Sequence, residues 1–458
     1  MTTRAAASVF LADPAVYAAQ ITRLEQKLIH TPKYFERVLD GASLAQVVRD
    51  QRRVCKLLAH SVSHHTYVFS PCEMRTIVLD KPRQFYAFSI LDTLVLGALA
   101  ACVNERMKTA LSPHVYSYRA GISSWTALRA FGTHITHHRR ARPDPRERGL
   151  YVLRADVKSY APSIPVTPQS LLWPDLEQLV DQDAVQALFA PALRPLVIGP
   201  DGERFEQLIG VPLGSPLATS MLNWYLHDVD EVVVGHAHVA TGATNEIFYA
   251  RFGDDLLIAH SDPEVTLAAE ARLESELARK RLRLNDKKRQ HFYFTAAGRA
   301  ALSAAGALWR GTNAITFLGC RIRFDSSVGV CEDKNAELIG ELKARLTRST
   351  ALLSDSSAAE RTAVLCATAN AILDPRSPFA HRHATTLTAL ASDRKQLATL
   401  DYTVALTIAQ LVTGRVGPRA FRELPYRELR AKAGLRSLVA RRNRGLHAAR
   451  TTRSIVIR

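Results

Sequence analysis

The segment YARFGDDLLIA, Tyr249 to Ala259, sets two adjacent carboxylates, Asp254 and Asp255, behind a glycine and between two apolar runs. Short apolar runs on either side of a glycine-containing turn read as two paired strands, Glu246 to Arg251 and Leu256 to Ala259. The two acids then emerge together at one edge of a sheet. Like charges this close cost energy unless a counter-charge holds them, and a divalent cation is the most economical one.

A magnesium pair takes carboxylates from more than one strand, so a third acid is needed. Asp156 is the best candidate, because Tyr151 to Val157 reads as a strand ending at an acid and precedes VKSYAPSIP. If the two strands pair, the three acids converge. Two cations about 4 Å apart could then activate a 3′-hydroxyl and stabilise a leaving pyrophosphate, which is nucleotidyl transfer. On its own, Asp254-Asp255 reads more readily as an ordinary solvated turn.

Charge supports a polyanionic partner. The formal net charge is +17, and the 44 residues from Arg415 onward hold 13 Lys/Arg against Glu423 and Glu428. Leu, Val, Phe and Tyr interleave with those charges, which favours a folded basic element that tracks phosphates over a loose tail. With 458 residues, 47% of them apolar, the chain is expected to fold throughout as two or three subdomains.

Six scattered cysteines lack metal-ligand spacing and read as reduced core residues of a cytoplasmic protein. His134, His137 and His138 share a helical face, but two arginines follow them directly. The N-terminal apolar residues are broken by Asp13-Pro14, which speaks against a secretory segment. Phe88 to Val103 is apolar but short for a span and holds Asp92, so a buried helix is expected and no membrane.

Along the chain, residues 1 to about 70 look helical and a mixed region follows. Between Tyr151 and Phe324 the order is strand, helix, a hairpin at Asp201-Gly202, helix, the acidic hairpin, helix, then a strand over Ala314 to Phe324. Beyond Asp333 nearly everything reads as helix. This predicts an α+β fold, an antiparallel sheet with helices on one face, flanked by helical segments.

At this point the chain resembles a known family. YARFGDDLLI is similar to the catalytic box of reverse transcriptases, and ADVKSYAPSI to their first aspartate motif. GVPLGSPLATSMLNWYLHDVD resembles their Gly-x-Pro-x-Gly loop and helix, LRLNDKKRQ their Leu-Asn-x-x-Lys motif, and FLGCRI their primer-grip hairpin. KPRQFYAFSILDTLVLGAL and YSYRAGISSWTAL look like the fingers motifs of bacterial reverse transcriptases. These blocks keep the family's order from about residue 75 to 325.

The resemblance implies a right-hand polymerase: a helical extension over 1–70, fingers over 71–150, a palm over 151–325 with part of the fingers inserted, a helical thumb over 326–400 and a basic helical region over 401–458. It implies two Mg2+, or Mn2+, on Asp156, Asp254, Asp255 and the Val157 carbonyl. Arg119 and Arg83 would grip the triphosphate, and Lys288 would assist pyrophosphate departure. Tyr160, Ala161, Gly210, Pro212, Leu213, Gly214 and Phe252 would line the nucleotide, with the glycines letting backbone approach a base pair. Phe317, Leu318 and Gly319 would form the primer grip. For Lys288 and for Asn223, on the helix after the loop, plain structural roles weigh equally.

Several positions depart from the family pattern. Ala161 stands where a bulky aromatic excludes ribonucleotides, leaving room for a 2′-hydroxyl unless Tyr160 fills it. Leu213 replaces the loop's glutamine, Ala218 a serine, and Phe252 the box tyrosine. Gly-Asp-Asp also resembles viral RNA-dependent RNA polymerases, but their usual second acid in the first motif is missing. No RNase H or His-Asn-His pattern is evident, and about 130 helical residues follow the palm.

That layout is most like the unknown-group, abortive-infection and defence-associated enzymes, with a group II intron-like or diversity-generating enzyme as the alternative. Expected partners are an RNA template or an associated non-coding RNA, the DNA product, nucleoside triphosphates, and a second copy or an accessory protein. A template-independent terminal transferase and a non-catalytic nucleic-acid-binding scaffold are the rival readings.

Overall fold

The computed structural model describes residues 7–36, 39, 41–78, 82–142, 144, 149–235, 247–300, 306–389 and 391–444. The chain divides into two compact units. One holds Met1–Ala127 and Leu150–Phe292, the other Leu128–Gly149 and Tyr293–Arg458.

Twelve strands are formed among the described residues: β1 (Cys72–Val78), β2 (Pro82–Ala87), β3 (Leu150–Asp156), β4 (Leu196–Ile198), β5 (Arg204–Glu206), β6 (Phe248–Phe252), β7 (Asp255–His260), β8 (Gln290–Phe294), β9 (Arg310–Thr312), β10 (Ala314–Phe317), β11 (Cys320–Arg323) and β12 (Val328–Val330).

The centre of the first unit is the antiparallel run β6-β7-β3, which continues into β8. β3 and β7 are apolar along almost their whole length and buried on both faces. Central strands covered by other layers read as continuous rather than alternating apolar runs. The helices His227–Gly235 and Pro263–Arg279 pack against β6, β7 and β3. The second of these starts at Pro263 behind Asp262, whose carboxylate accepts from the Glu264 amide, a start that presets φ and satisfies a free N–H.

A second sheet, β2-β1-β4-β5, holds the hairpin expected at Asp201-Gly202, formed between β4 and β5. The N-terminal helix Pro14–Leu28 packs on both Gln51–Ser63 and the apolar helix Ile90–Met107, and all three share one continuous core. Asp92, the acid in that greasy stretch, is buried but satisfied. It accepts from the Tyr67 hydroxyl at 2.7 Å, the Ser89 hydroxyl at 2.8 Å and the Ser70 amide at 3.2 Å. Among the described residues no single helix is long and apolar enough to cross a membrane.

In the second unit, Ala314 to Phe324 is not one strand. It folds as β10 and β11 around Leu318-Gly319, whose φ of +50° and +72° make a two-residue turn. The helices Glu332–Ala351, Ala358–Leu373 and Arg394–Thr413 share this unit's apolar core. Arg394–Thr413 runs across residue 400, where a boundary was expected from the sequence. Residues 445–458 of the basic segment lie outside the described residues.

Candidate active site

The acidic edge is set by strand register. Asp156 ends β3 directly opposite Asp255 at the start of β7, and Phe252 at the end of β6 also faces Asp255. Gly253 turns the chain between β6 and β7 with φ of +64°, a conformation that favours glycine. The Val157 amide donates to the Asp254 carbonyl at 3.0 Å, which locks the turn to the end of β3.

Below the turn lies an ion pair. The Arg251 guanidinium, on β6, donates to both oxygens of Asp230 at 2.7 and 2.6 Å, and both side chains are fully buried. Its remaining donors reach the Asn223 carbonyl at 3.1 Å and the Gly253 carbonyl at 3.4 Å, and the Tyr249 hydroxyl donates to Asp230 at 2.7 Å. Asn223 and Ser117 complete the clamp. The Ser117 hydroxyl donates to Asn223 Oδ1 and accepts the Gly253 amide, while Asn223 Nδ2 donates to the Ser117 carbonyl. Arg251, Asp230, Ser117 and Asn285 were missed as site residues. A charge inside an apolar strand and an acid inside an apolar helix were the signals available.

Asp156 is buried, and both its oxygens have partners. Asn285 Nδ2 donates to one at 3.2 Å and Lys288 Nζ to the other at 2.6 Å. The motif LRLNDKKRQ thus reaches the first aspartate through Asn285 as well as Lys288. Asp156 holds the Lys288 ammonium above its usual pKa, so it is charged at neutral pH. Burial, then the neighbouring Asp156, pushes Asp254 above the usual carboxylate range. Burial, then Asp254 and Asp156, pushes Asp255 up to about 6.

Lys288 pairs with Asp156, and its charge offsets part of the repulsion felt by Asp254 and Asp255. The donor set of the three acids is all hard oxygen, which suits Mg2+ or Mn2+, and the Val157 carbonyl follows Asp156 directly. Among the described residues, two other groups draw three ligand atoms within 4.8 Å of one another, Asp175/His227/Asp228 and Glu337/Glu341/His381. The three acids of the sheet edge stand wider apart than this. In the first group the buried Lys280 ammonium already bridges Asp175 and Asp228 at 2.7 and 3.0 Å. In the second, Arg382 pairs with Glu337, and His381 Nδ1 accepts the His383 amide, so the His381 proton sits on the nitrogen facing the glutamates.

Other expected residues fall differently. Arg119 donates through Nη1 to the Ser112 and Val115 carbonyls at 2.8 and 3.1 Å, so this part of its guanidinium staples a turn. Arg83 lies exposed on the hairpin β1-β2. Tyr160 is in the core, its hydroxyl donating to the Leu222 carbonyl at 2.5 Å, and does not fill space beside Ala161.

The Gly210–Gly214 loop packs on the protein's own backbone. A Cβ on Gly214 would stand 2.4 Å from the Tyr86 carbonyl oxygen, and one on Gly210 would stand 3.1 Å from that of Pro162. These glycines are required first by neighbouring chain, not by a base pair. Pro212 is buried, Leu213 and Ala218 pack with the core, and Ala161 accepts the Val211 amide. Phe317, Leu318 and Gly319 form the β10-β11 turn in the second unit, with Phe317 fully buried.

Removing one partner of a buried ion pair strands the other charge. Asp230→Ala or Arg251→Ala should cost about 3–5 kcal/mol, a fall of roughly 10 °C in Tm by thermal melting. Replacing both by apolar residues of similar volume should cost less than either alone.

The Asp255 shift has a signed consequence. Its folded-state pKa lies above the unfolded one, so its contribution to stability is fully present below about pH 4 and is lost as pH rises through about 6. Asp255→Asn should therefore be more stable than wild type at pH 7.5, by roughly 1–3 kcal/mol. Urea unfolding should show this gain vanishing toward pH 4.

Comparison with known proteins adds the family. Residues 101–322 match the family described as reverse transcriptase (RNA-dependent DNA polymerase), a span that holds Asp156, Asp254, Asp255 and Lys288. No curated protein sequence matches. Among solved structures, a truncated apo telomerase from Candida tropicalis is 14% identical, over 58% of this chain and 56% of that one, with a TM-score of 0.42. A Candida albicans telomerase in complex with a fragment of telomeric RNA is 11% identical, over 81% and 64%, with a TM-score of 0.44. The chain thus covers less than two thirds of either structure. With the family match placed over the sheet and helices described above, residues 101–322 are similar to the reverse-transcriptase family, and the chain has a mixed α+β, right-hand polymerase fold.

Proposed function

We propose that the protein is a nucleotidyltransferase that extends DNA from nucleoside triphosphates on an RNA template. The observation that carries this reading is the register of β3 and β7, which brings Asp156 opposite Asp255 and beside Asp254 within the matched domain. Asp156, Asp254, Asp255 and the Val157 carbonyl would hold two divalent cations, which supply activation of the attacking hydroxyl and charge compensation for pyrophosphate. Lys288 would give a proton to the departing pyrophosphate, a role supported by its charge and by its position on Asp156.

The fingers, palm and thumb divisions, a bound non-coding RNA, a second copy or an accessory protein, a cytoplasmic location and a role in defence against phage belong to the same proposal. The defence role rests on the family layout alone: a diverged glycine loop and a long helical segment after the palm. A second reading is template-independent addition. It is favoured by Leu213 and Ala218, apolar positions packed into the core of the loop that would otherwise meet the template.

The decisive assay is Mg2+-dependent incorporation on a primed RNA template. Asp254→Asn with Asp255→Asn should lower incorporation by at least about a thousandfold while RNA binding holds within threefold. Unchanged incorporation would remove these acids from the site. Sequencing the product separates copying, which gives the complement, from tailing, which gives homopolymer or short repeats. Because Tyr160 is held in the core and Ala161 is small, ribonucleotides should also be accepted. Strong deoxyribonucleotide selectivity in the same assay would contradict that.

A further inference from the structure

We propose that Tyr118 and Phe252 form a stacking ledge for the terminal nucleoside of the strand being extended, with Tyr118 as its positioning residue. This rests on the polymerase reading and names which end of the acidic edge takes which part of the substrates.

The edge is polarised. In the sheet order β6-β7-β3, Phe252 ends the outer strand β6, Asp255 opens β7, and Asp156 ends β3 with Lys288 and Asn285 on it. One end of the row of acids is therefore aromatic, with its neighbouring guanidinia turned to backbone carbonyls and to Asp230, and the other carries an ammonium on an acid of the row. A polyanionic triphosphate belongs at the cationic end. The nucleoside that carries the attacking hydroxyl belongs at the aromatic one.

Tyr118 is built for that position. Its φ is +51°, a left-handed conformation that is strained for a bulky side chain and persists only where the surroundings enforce it. They do so here. The segment before it pairs with β6 through the Tyr116 amide to the Arg251 carbonyl, at 2.9 Å, and through the Arg251 amide to the His114 carbonyl, at 3.0 Å. Ser117 is clasped by Asn223 and Gly253.

The result is a ring 50% exposed beside the acidic turn, its centroid 6.3 Å from that of Phe252 and its plane inclined 40°. The hydroxyl lies 3.9 Å from where a Cβ on Gly253 would stand, and it makes no hydrogen bond among the described residues. A tyrosine needed only for packing would be buried. An exposed aromatic face next to the reacting groups accepts any base, so the contact would be tolerant of sequence.

The test uses a primed template with 2-aminopurine at the primer 3′ terminus. Fluorescence is read in the Asp254→Asn, Asp255→Asn protein, where turnover is blocked, and KM and kcat are read in the otherwise unmodified protein. The ledge predicts quenching on binding. It also predicts that Tyr118→Ala loses the quenching and raises the KM for primed template by about tenfold, a loss that falls on KM more than on kcat. Tyr118→Phe and Tyr118→Trp should keep both.

Tyr118→Gly removes the ring and relieves the left-handed strain together, so it should show the same loss with a Tm no lower than wild type. Quenching and KM within twofold of wild type in the alanine and glycine variants would overturn the proposal, as would a fall in kcat with KM unchanged. Quenching reports the ledge without turnover and incorporation reports the polymerase reading, so the two fail separately.

Discussion

The buried pair between Arg251 and Asp230 is the contact on which the acidic edge depends. Two charges are removed from water here, which is costly unless the geometry satisfies every donor. Four of the five N–H donors are met here: the guanidinium reaches both oxygens of one carboxylate and the carbonyls of Asn223 and Gly253, and Tyr249 adds a hydroxyl to the carboxylate. The pair therefore ties β6, the helix His227–Gly235 and the Gly253 turn into one rigid unit. An apolar substitute could fill the volume but could not hold a carbonyl of the turn. Rigidity at this point matters because carboxylates that serve a common cation must be fixed to a fraction of an ångström.

What that rigid base supports is an electrostatically unfavourable arrangement. Asp254 and Asp255 are both held above the usual carboxylate range by burial first; Asp156 comes next for Asp254, and Asp254 with Asp156 comes next for Asp255. Lys288 offsets part of the charge by sitting on Asp156. Such a cluster lowers stability by itself and is kept where a bound cation restores the balance, a common trade between stability and activity at working sites. In the proposed reaction a bound cation would compete with Lys288 for Asp156, and the ammonium would then be free to face the departing phosphate.

Much of this was legible in the sequence, and the reasons are physical. Short apolar runs around Gly253 could pair in few ways, and β3 ends in an acid, so register alone places Asp156 by the turn. The motif LRLNDKKRQ was read as one block, but its contacts with that aspartate through Asn285 and Lys288 were not. What was not legible depends on which side chains find each other across long separations. Arg251 looked like one more residue of a strand because its partner Asp230 lies 21 residues away in a helix.

Tyr160 and Arg119 were expected at the nucleotide, but each met a nearby backbone carbonyl first. The glycines of the Gly210–Gly214 loop were read as room for a base pair and in fact accommodate Tyr86 and Pro162. The turn at Leu318-Gly319 was expected only through the family's primer-grip hairpin; the strand pattern hid it, because a leucine rarely takes a positive φ, so two strands read as one.

The most direct measurement is a crystal soaked in Mn2+ with a non-hydrolysable nucleotide and primed template, read by anomalous scattering. The account predicts two peaks about 4 Å apart, bounded by Asp156, Asp254, Asp255 and the Val157 carbonyl, with Lys288 moved toward the phosphates. Manganese absent from that edge at saturating concentration, with Lys288 still on Asp156, would contradict it.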